Sequence, residues 1–337
     1  MLTRWEESLL GREEKGNSSG SLYTVKNNIH QRPIVNEYEA FLKELLHLYG
    51  VQTKERSFTV AMSHDVDGLL ASSWSQIGRD MLVQVIKGFP KNRVVNLTWL
   101  AEVIYKLCYP KAYNQVDKYV ALCEKYHITE WFYFKVCARG EVEATYNYDD
   151  SRFLEVIDRL RKRKNPDISL GFHPSQSSFN NQSQWDKECQ RITYVLGEKP
   201  PVCRAHHLLY NMPTLRMWEK SLATEESPFH VSNSVYHKVF GFRSGIAVPY
   251  PIFDYYERRK MNLIEHPCQI MDTIVRYATK GKTDAEIWNE LVSIIDSVKK
   301  YQGELVLTWH IYRRNVSLIN RYFTWCEKIV AYAAFLR

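Results

Sequence analysis

The stretch Ser63-His64-Asp65-Val66-Asp67-Gly68 directly follows the apolar run Phe58-Thr59-Val60-Ala61-Met62. If that run is a strand, the alternation of side chains puts Asp65 and Asp67 on one face and His64 on the other. Two carboxylates that close repel each other, so both stay ionised only when a cation or a donor lies between them. A bound metal would supply the cation, leaving one Asp as a ligand and the other as a base. The alternative is a surface loop that ends a strand, because Asp and Gly are common in turns.

Beyond this stretch the chain alternates between strand and helix patterns. Strands are predicted at 58–62, 128–136, 168–172, 202–206, 230–235, 261–265 and 304–309. Helices are predicted at 37–49, 115–126, 149–163, 184–196, 213–222, 285–300 and 315–335. This alternation indicates parallel strands and an α/β architecture. About seven such units suit a closed or nearly closed (β/α) barrel, which carries its chemistry at the carboxyl ends of the strands.

The organisation and composition are those of a soluble enzyme. Residues 1–56 form a predicted peripheral segment, with a Gly/Ser-rich linker at 16–21 and one helix, and residues 57–337 form the barrel with a C-terminal helix. The chain has 45% hydrophobic and 25% charged residues, which is ordinary for a globular protein.

Charge and cysteine content indicate the expected cellular compartment and the expected partners. Seven Cys without a Cys-x-x-Cys pair argue against a disulfide framework or a thiolate zinc site and fit a reducing cytosol. No apolar leader and no run of about 18 apolar residues is present, so a cytoplasmic location without a membrane span is expected. The net charge of +7 is dispersed, and its densest run, 161–164, reads as a helix end. We therefore expect no nucleic-acid partner.

Polar side chains lie at the ends of four of the predicted strands. Each alone is more often a structural loop residue or ion-pair partner, but independent loops would rarely produce all of them. In the strand at 202–206, Arg204 and His206 share a face, whereas His207 takes the other. The set comprises Asp65 and Asp67, His173, Arg204 with His206, and His310.

In order and spacing, these motifs resemble the polysaccharide deacetylase superfamily, that is, carbohydrate esterase family four and its relatives. The resemblance is greatest to the branch with His-Asp-Val-Asp and His-Pro-Ser, and it covers about residues 58–310. It is carried by Ser-His-Asp-Val-Asp at 63–67, Gly-Phe-His-Pro-Ser at 171–175, Arg-x-His-x-Leu at 204–208, Gly-Phe-Arg-Ser-Gly at 241–245, Met-Asp at 271–272 and Trp-His at 309–310.

The resemblance implies a fold and a set of roles. The fold would be a distorted (β/α) barrel, usually seven-stranded. Asp65 would be the catalytic base, and Arg204 would hold it. Asp67 and His173 would be metal ligands. His310 would be the general acid.

Two departures from the family pattern leave questions open. Ser177 stands where a second metal-binding His is usual, so the remaining imidazole is unassigned. His206 is the candidate because it shares a face with Arg204, and Ser177 acting through water is the alternative. Residues 232–234 are Ser-Asn-Ser where related sequences tend to carry an acidic residue, which leaves open what supports His310.

The expected function is that of a metal-dependent hydrolase that removes an N-acetyl group from an amino sugar in a polysaccharide or glycoconjugate. A carboxylate with neutral imidazoles suits Zn²⁺ and tolerates Co²⁺, Ni²⁺ or Fe²⁺. Arg243 and Ser175 are expected to bind substrate, although Arg243 could equally be structural, and Pro249-Tyr250-Pro251 is predicted as a rigid turn. The alternatives are hydrolysis of another amide or cyclic amide on this fold, or a degenerate barrel that binds a carbohydrate or a partner without catalysis.

Overall fold

The computed structural model describes residues 22–69, 115–163, 167–224, 226–236, 239–311 and 316–337, so the predicted linker at 16–21 lies outside the described residues. Within these ranges nine strands form a single sheet. They are β1 Thr59–Val66, β2 Thr129–Phe134, β3 Ile168–Phe172, β4 Val202–Cys203, β5 Phe229–Val231, β6 Tyr250–Asp254, β7 Arg259–Glu265, β8 Cys268–Met271 and β9 Glu304–Thr308.

The strand order is β6-β7-β5-β4-β3-β2-β1-β9-β8, and every neighbouring pair is parallel except β6 with β7. The predicted α/β class with a distorted barrel is therefore confirmed. The predicted strand count of seven is wrong, because the described sheet has nine strands.

The higher count has a simple origin in the chain path. Only His266 and Pro267 separate β7 from β8, and the two strands run in the same direction along opposite ends of the sheet. One bent stretch of chain therefore provides two strands, pairing first with β5 and then with β9. The backbone N–H of His266 still donates to Val231 O at 2.8 Å, and that of Cys268 donates to Ser234 O at 3.2 Å. If β7 and β8 are counted as one stretch of chain, then that stretch, the five strands β1 to β5 and β9 make seven parallel segments.

The remaining strand, β6, overturns the predicted turn at Pro249-Tyr250-Pro251. It pairs antiparallel with β7 at the edge of the sheet, and its side chains alternate between buried and exposed. Proline lacks an N–H, which an edge strand tolerates because one side of it needs no partner. The Pro-rich sequence that suggested a turn is thus compatible with an edge position.

The helices follow the predicted periods closely, and each predicted helix is found within three residues of its expected bounds. The short α7, directly after β8, was not predicted. The helices are α1 Tyr23–Lys26, α2 Ile34–Leu48, α3 Val116–Tyr126, α4 Ser151–Lys162, α5 Gln182–Leu196, α6 Met212–Leu222, α7 Asp272–Ala278, α8 Asp284–Lys300 and α9 Val316–Phe335. None of the helices in the described ranges is long and apolar enough to cross a membrane.

Residues 22–36 pack directly on the barrel. The N–H of Phe242 donates to His30 O at 2.8 Å, and the N–H of Val35 donates to Gly245 O at 2.8 Å. Gly241 has φ +137°, and a Cβ there would lie 2.2 Å from His30 O. The glycine is therefore required by the close approach of the two segments. The division into a peripheral segment at 1–56 and a barrel stays a prediction.

Candidate active site

The carboxyl ends of the strands form a cleft of about 330 Å³. Strand β1 contributes to it directly, since it continues past the predicted end at Met62 and carries Asp65 on the strand itself. The predicted polar residues of three separate strand ends meet here. The cleft is lined by, among others, Asp65, Asp67, Arg204, His206, Thr308 and His310.

Asp65 is a buried carboxylate held by a rigid cation. Arg204 Nη1 donates to its Oδ1 at 3.0 Å. The guanidinium is itself fixed, because Nε donates to Ser232 O at 2.6 Å, Nη2 donates to Ser232 Oγ at 2.7 Å, and the group lies over the Tyr133 ring. Burial would raise the pKa of Asp65, but Arg204, together with the neighbouring His173 and His310, outweighs this and holds the pKa below its usual value. Asp65 is therefore ionised at neutral pH.

Asp67, His173 and His206 place one potential ligand atom each within 4.8 Å of one another. Asp67 Oδ1 lies 3.8 Å from His173 Nε2 and 3.5 Å from His206 Nε2. Ser177, the alternative to His206, is exposed on the 3₁₀ turn Gln176–Ser178, and a role for it through water stays a prediction. The structure thus brings two imidazoles and one carboxylate together.

These donors fit a divalent transition metal. Nδ1 of His173 lies 2.7 Å from Arg204 O, and a carbonyl can only accept, so this nitrogen carries the proton and Nε2 offers a lone pair. Among the described residues, buried Nε2 has no hydrogen-bond partner. Burial lowers the pKa of His173 to about 3, so its imidazole is neutral. A neutral imidazole with an unused lone pair beside a carboxylate suits Zn²⁺.

Glu143 orients His206. Its Oε1 lies 2.7 Å from His206 Nδ1, and its Oε2 accepts from Gln176 N at 2.8 Å. Although burial opposes ionisation, the hydrogen bonds from His206 and from the backbone N–H of Gln176 lower the pKa of Glu143 to about 2. The carboxylate therefore fixes the proton on Nδ1 and leaves the Nε2 lone pair towards Asp67. Glu143 also lies close to His206 and His207 as a possible metal trio, but both its oxygens are already bonded.

His310 is paired with Asp272 at the start of α7. Nδ1 lies 2.7 Å from Asp272 Oδ1, and the backbone N–H of His310 donates to Oδ2 at 3.1 Å. Burial would lower the pKa of His310, but the carboxylate of Asp272 raises it to about 9. Nε2 lies 3.5 Å from Asp65 Oδ2. The support that residues 232–234 left open comes from Asp272, whereas Ser232 contacts Arg204.

Two residues expected to bind substrate lie elsewhere. Ser175 is 7% exposed, and its Oγ donates to Glu188 Oε1 at 2.5 Å. Arg243 is 6% exposed and donates to Val235 O at 2.7 Å. Val235 lines the cleft, whereas Ser175, Glu188 and Arg243 are not among its lining residues. The structure does not bring Ser175 or Arg243 into the cleft, and substrate binding by either stays a prediction.

Lys135 at the end of β2 is a site residue that sequence reasoning missed, as is Glu143. The Nζ atom of Lys135 lies 2.8 Å from Asp67 Oδ1 and 3.0 Å from His206 Nε2. The available signal was the strand parity, which places Lys135 on the same face as Trp131 and Tyr133. Glu143 lies in a loop, where no periodicity indicates a direction.

No protein-family model and no curated protein matches the chain. The chain is similar to several solved structures at low identity. One, from Bordetella bronchiseptica, is described as a polysaccharide deacetylase involved in O-antigen biosynthesis (14% identity, 84% of this chain and 85% of that chain covered, TM-score 0.39). Another, from Mycobacterium smegmatis, is described as a polysaccharide deacetylase (14%, 82% and 86%, TM-score 0.47). A third is the PuuE allantoinase (9%, 81% and 84%, TM-score 0.43).

The polysaccharide deacetylase superfamily stays what the motifs of the sequence resemble. The branch with His-Asp-Val-Asp and His-Pro-Ser stays a prediction.

Proposed function

We propose that the chain is a metal-dependent hydrolase that removes an N-acetyl group from an amino sugar in a polysaccharide or glycoconjugate. The observation that carries the proposal is the pairing at one cleft of the Asp65 carboxylate with the His310 imidazole, whose Oδ2 and Nε2 atoms lie 3.5 Å apart. Beside them lie the potential metal ligands Asp67, His173 and His206. The proposed ion is Zn²⁺, with Co²⁺, Ni²⁺ or Fe²⁺ as substitutes.

Hydrolysis of an amide needs a base that activates water and an acid that protonates the amine as it leaves. A divalent ion held by Asp67, His173 and His206 would polarise the acyl carbonyl and lower the pKa of a bound water to about 7. Arg204 occupies Oδ1 of Asp65, so Oδ2 is the oxygen that takes the proton from water.

His310 supplies the second proton. Its Nδ1–H donates to Asp272, so the Nε2–H is the one directed into the cleft beside Asp65. A pKa of about 9 keeps this proton in place at neutral pH. The amine is otherwise a poor leaving group, and protonation by His310 permits the C–N bond to break.

The direct test is acetate release from N-acetylglucosamine oligomers and sugar conjugates by the purified chain with Zn²⁺ or Co²⁺. We expect Asp65→Asn to abolish turnover while metal stays bound, and Asp67→Ala to lose the metal. Asp158→Asn, at an exposed position on α4, is the control that should behave as wild type. If the two site variants also behave as wild type, the proposal is wrong.

Substrate class is tested with the same protein. Cyclic ureides beside the acetylated sugars distinguish deacetylation from cyclic-amide opening on this fold. A degenerate barrel without catalysis would yield protein with no stoichiometric metal and no hydrolysis of any member of the panel.

A further inference from the structure

Lys135 lies where the proposed metal ligands converge. We propose that its ammonium is a built-in competitor of the metal, which binds the same atoms of Asp67 and His206 and thereby sets the affinity of the site for a divalent ion. This inference rests on the proposed metal site and adds a determinant of metal affinity that the sequence motifs do not contain.

The position of Lys135 is fixed by the sheet. Alternation along β2 places it on the same face as Tyr133, whose ring lies under Arg204. The backbone N–H of Lys135 donates to Tyr146 Oη at 3.0 Å, and Tyr146 Oη donates to Val66 O at 3.0 Å. This bridge joins the end of β2 to β1 one residue before Asp67, so the ammonium and the carboxylate are held side by side.

The Lys135 ammonium is buried and contacts two of the proposed metal ligands. The Lys135 side chain is 5% exposed, and its Nζ reaches Asp67 Oδ1 in an ion pair at 2.8 Å and His206 Nε2 at 3.0 Å. An ammonium has three donors and no acceptor, so it binds only through the lone pairs of its partners.

A metal ion needs those same lone pairs. Glu143 fixes the His206 tautomer so that Nε2 is an acceptor, and this one lone pair serves either the ammonium or a metal. Two cations that share a carboxylate oxygen also repel each other strongly at this distance. A divalent ion must therefore displace the ammonium, and the cost of that displacement reduces its affinity.

The test is the affinity of the full chain, stripped with EDTA, for Zn²⁺ measured by calorimetry. Lys135→Met keeps the length of the side chain and removes the charge, and we expect it to bind Zn²⁺ at least ten-fold more tightly than wild type. Lys162→Met is the matched control, since it changes the net charge equally at a position 75% exposed at the end of α4. We expect wild-type affinity for Lys162→Met and no tightening for Lys135→Arg.

A second measurement covers the case in which Lys135→Met folds poorly without metal. Thermal unfolding of Lys135→Gln with EDTA and with Zn²⁺ should show a larger zinc-induced rise in Tm than wild type shows, because the stabilisation of the folded state by a ligand increases with the logarithm of its affinity. Unchanged or weaker zinc binding by both neutral variants overturns the inference. If acetate release still depends on Zn²⁺ in that case, the proposed function stands. If neither wild type nor any variant binds Zn²⁺, both fail.

Discussion

Replacing Asp272 by Asn should move the pH range over which His310 acts as an acid. Asp272 is the strongest of the groups that raise the pKa of His310, and it opposes the effect of burial. Asn retains an oxygen that can accept from Nδ1–H at nearly the same place. The substitution therefore removes mainly the negative charge and one oxygen that accepts from the His310 backbone N–H.

The size of the effect follows from the pKa. Raising the pKa of His310 from 6.5 to about 9 corresponds to roughly 3 kcal/mol in favour of the charged imidazolium. If the variant returns to a pKa of about 6.5, the protonated fraction at pH 8 falls about 30-fold, whereas at pH 6 it changes by less than about two-fold. The loss of activity should therefore be steep in alkaline buffer and small in acidic buffer.

The assay is kcat/KM for acetate release from about pH 5.5 to 10 with saturating Zn²⁺. We expect the alkaline limb of the profile to shift from about 9 in wild type to about 6.5 in Asp272→Asn. Asp254→Asn is the matched control, because Asp254 is a fully buried carboxylate on β6 that pairs with Arg216. Its profile should keep the wild-type limb. An unmoved limb in Asp272→Asn, at equal zinc content, would refute the role assigned to Asp272.

Three further outcomes are expected. Glu143→Gln should weaken Zn²⁺ binding about 10–100-fold in calorimetry, as loss of a carboxylate behind a metal-binding imidazole does, and wild-type affinity would contradict its orienting role. Burial raises the pKa of Glu265 from 4.5 to about 7, so its stability contribution is complete below 4.5 and is lost as pH rises through 7. Glu265→Gln should thus gain roughly 3 kcal/mol in urea unfolding at pH 8 and almost nothing at pH 4; an equal effect at both pH values would exclude this. Gly241→Ala should lose about 1–3 kcal/mol because its Cβ would meet His30 O, whereas Gly281→Ala, with open space around it, should be near neutral; equal losses would argue against the contact.

Much of the fold is visible in sequence periodicity, but strand length is not. The strands β4 and β5 were predicted to continue to 206 and 235, and they end at Cys203 and Val231. Beyond these ends some backbone N–H groups change their hydrogen-bond partner. The N–H of Ala205, for example, donates to Asn233 Oδ1 at 2.9 Å. Where side chains replace the backbone ladder, periodicity no longer reports the end of a strand.

The site divides in the same way. Asp65 lies near the end of β1, and Asp67 and His310 follow β1 and β9. Because the carboxyl ends of these strands meet, the convergence of the three side chains could be predicted from the chain alone. Asp272 follows β8, which was not predicted, and its place beside His310 could not be foreseen. Glu143 lies on a loop whose position is set by the packing of the folded chain. Because loops have no periodic sequence pattern, its place in the site could not be predicted.

The bent stretch that contains β7 and β8 couples two distant parts of the barrel. Asp272 follows Met271, the last residue of β8. The position of its carboxylate along the His310 side chain therefore depends on the register of β8 against β9. The register of β8 is coupled to that of β7 against β5, because only two residues connect β7 to β8. An insertion between Glu265 and Cys268 would thus uncouple the two registers and misalign the imidazolium with its counter-ion, without altering any residue of the cleft.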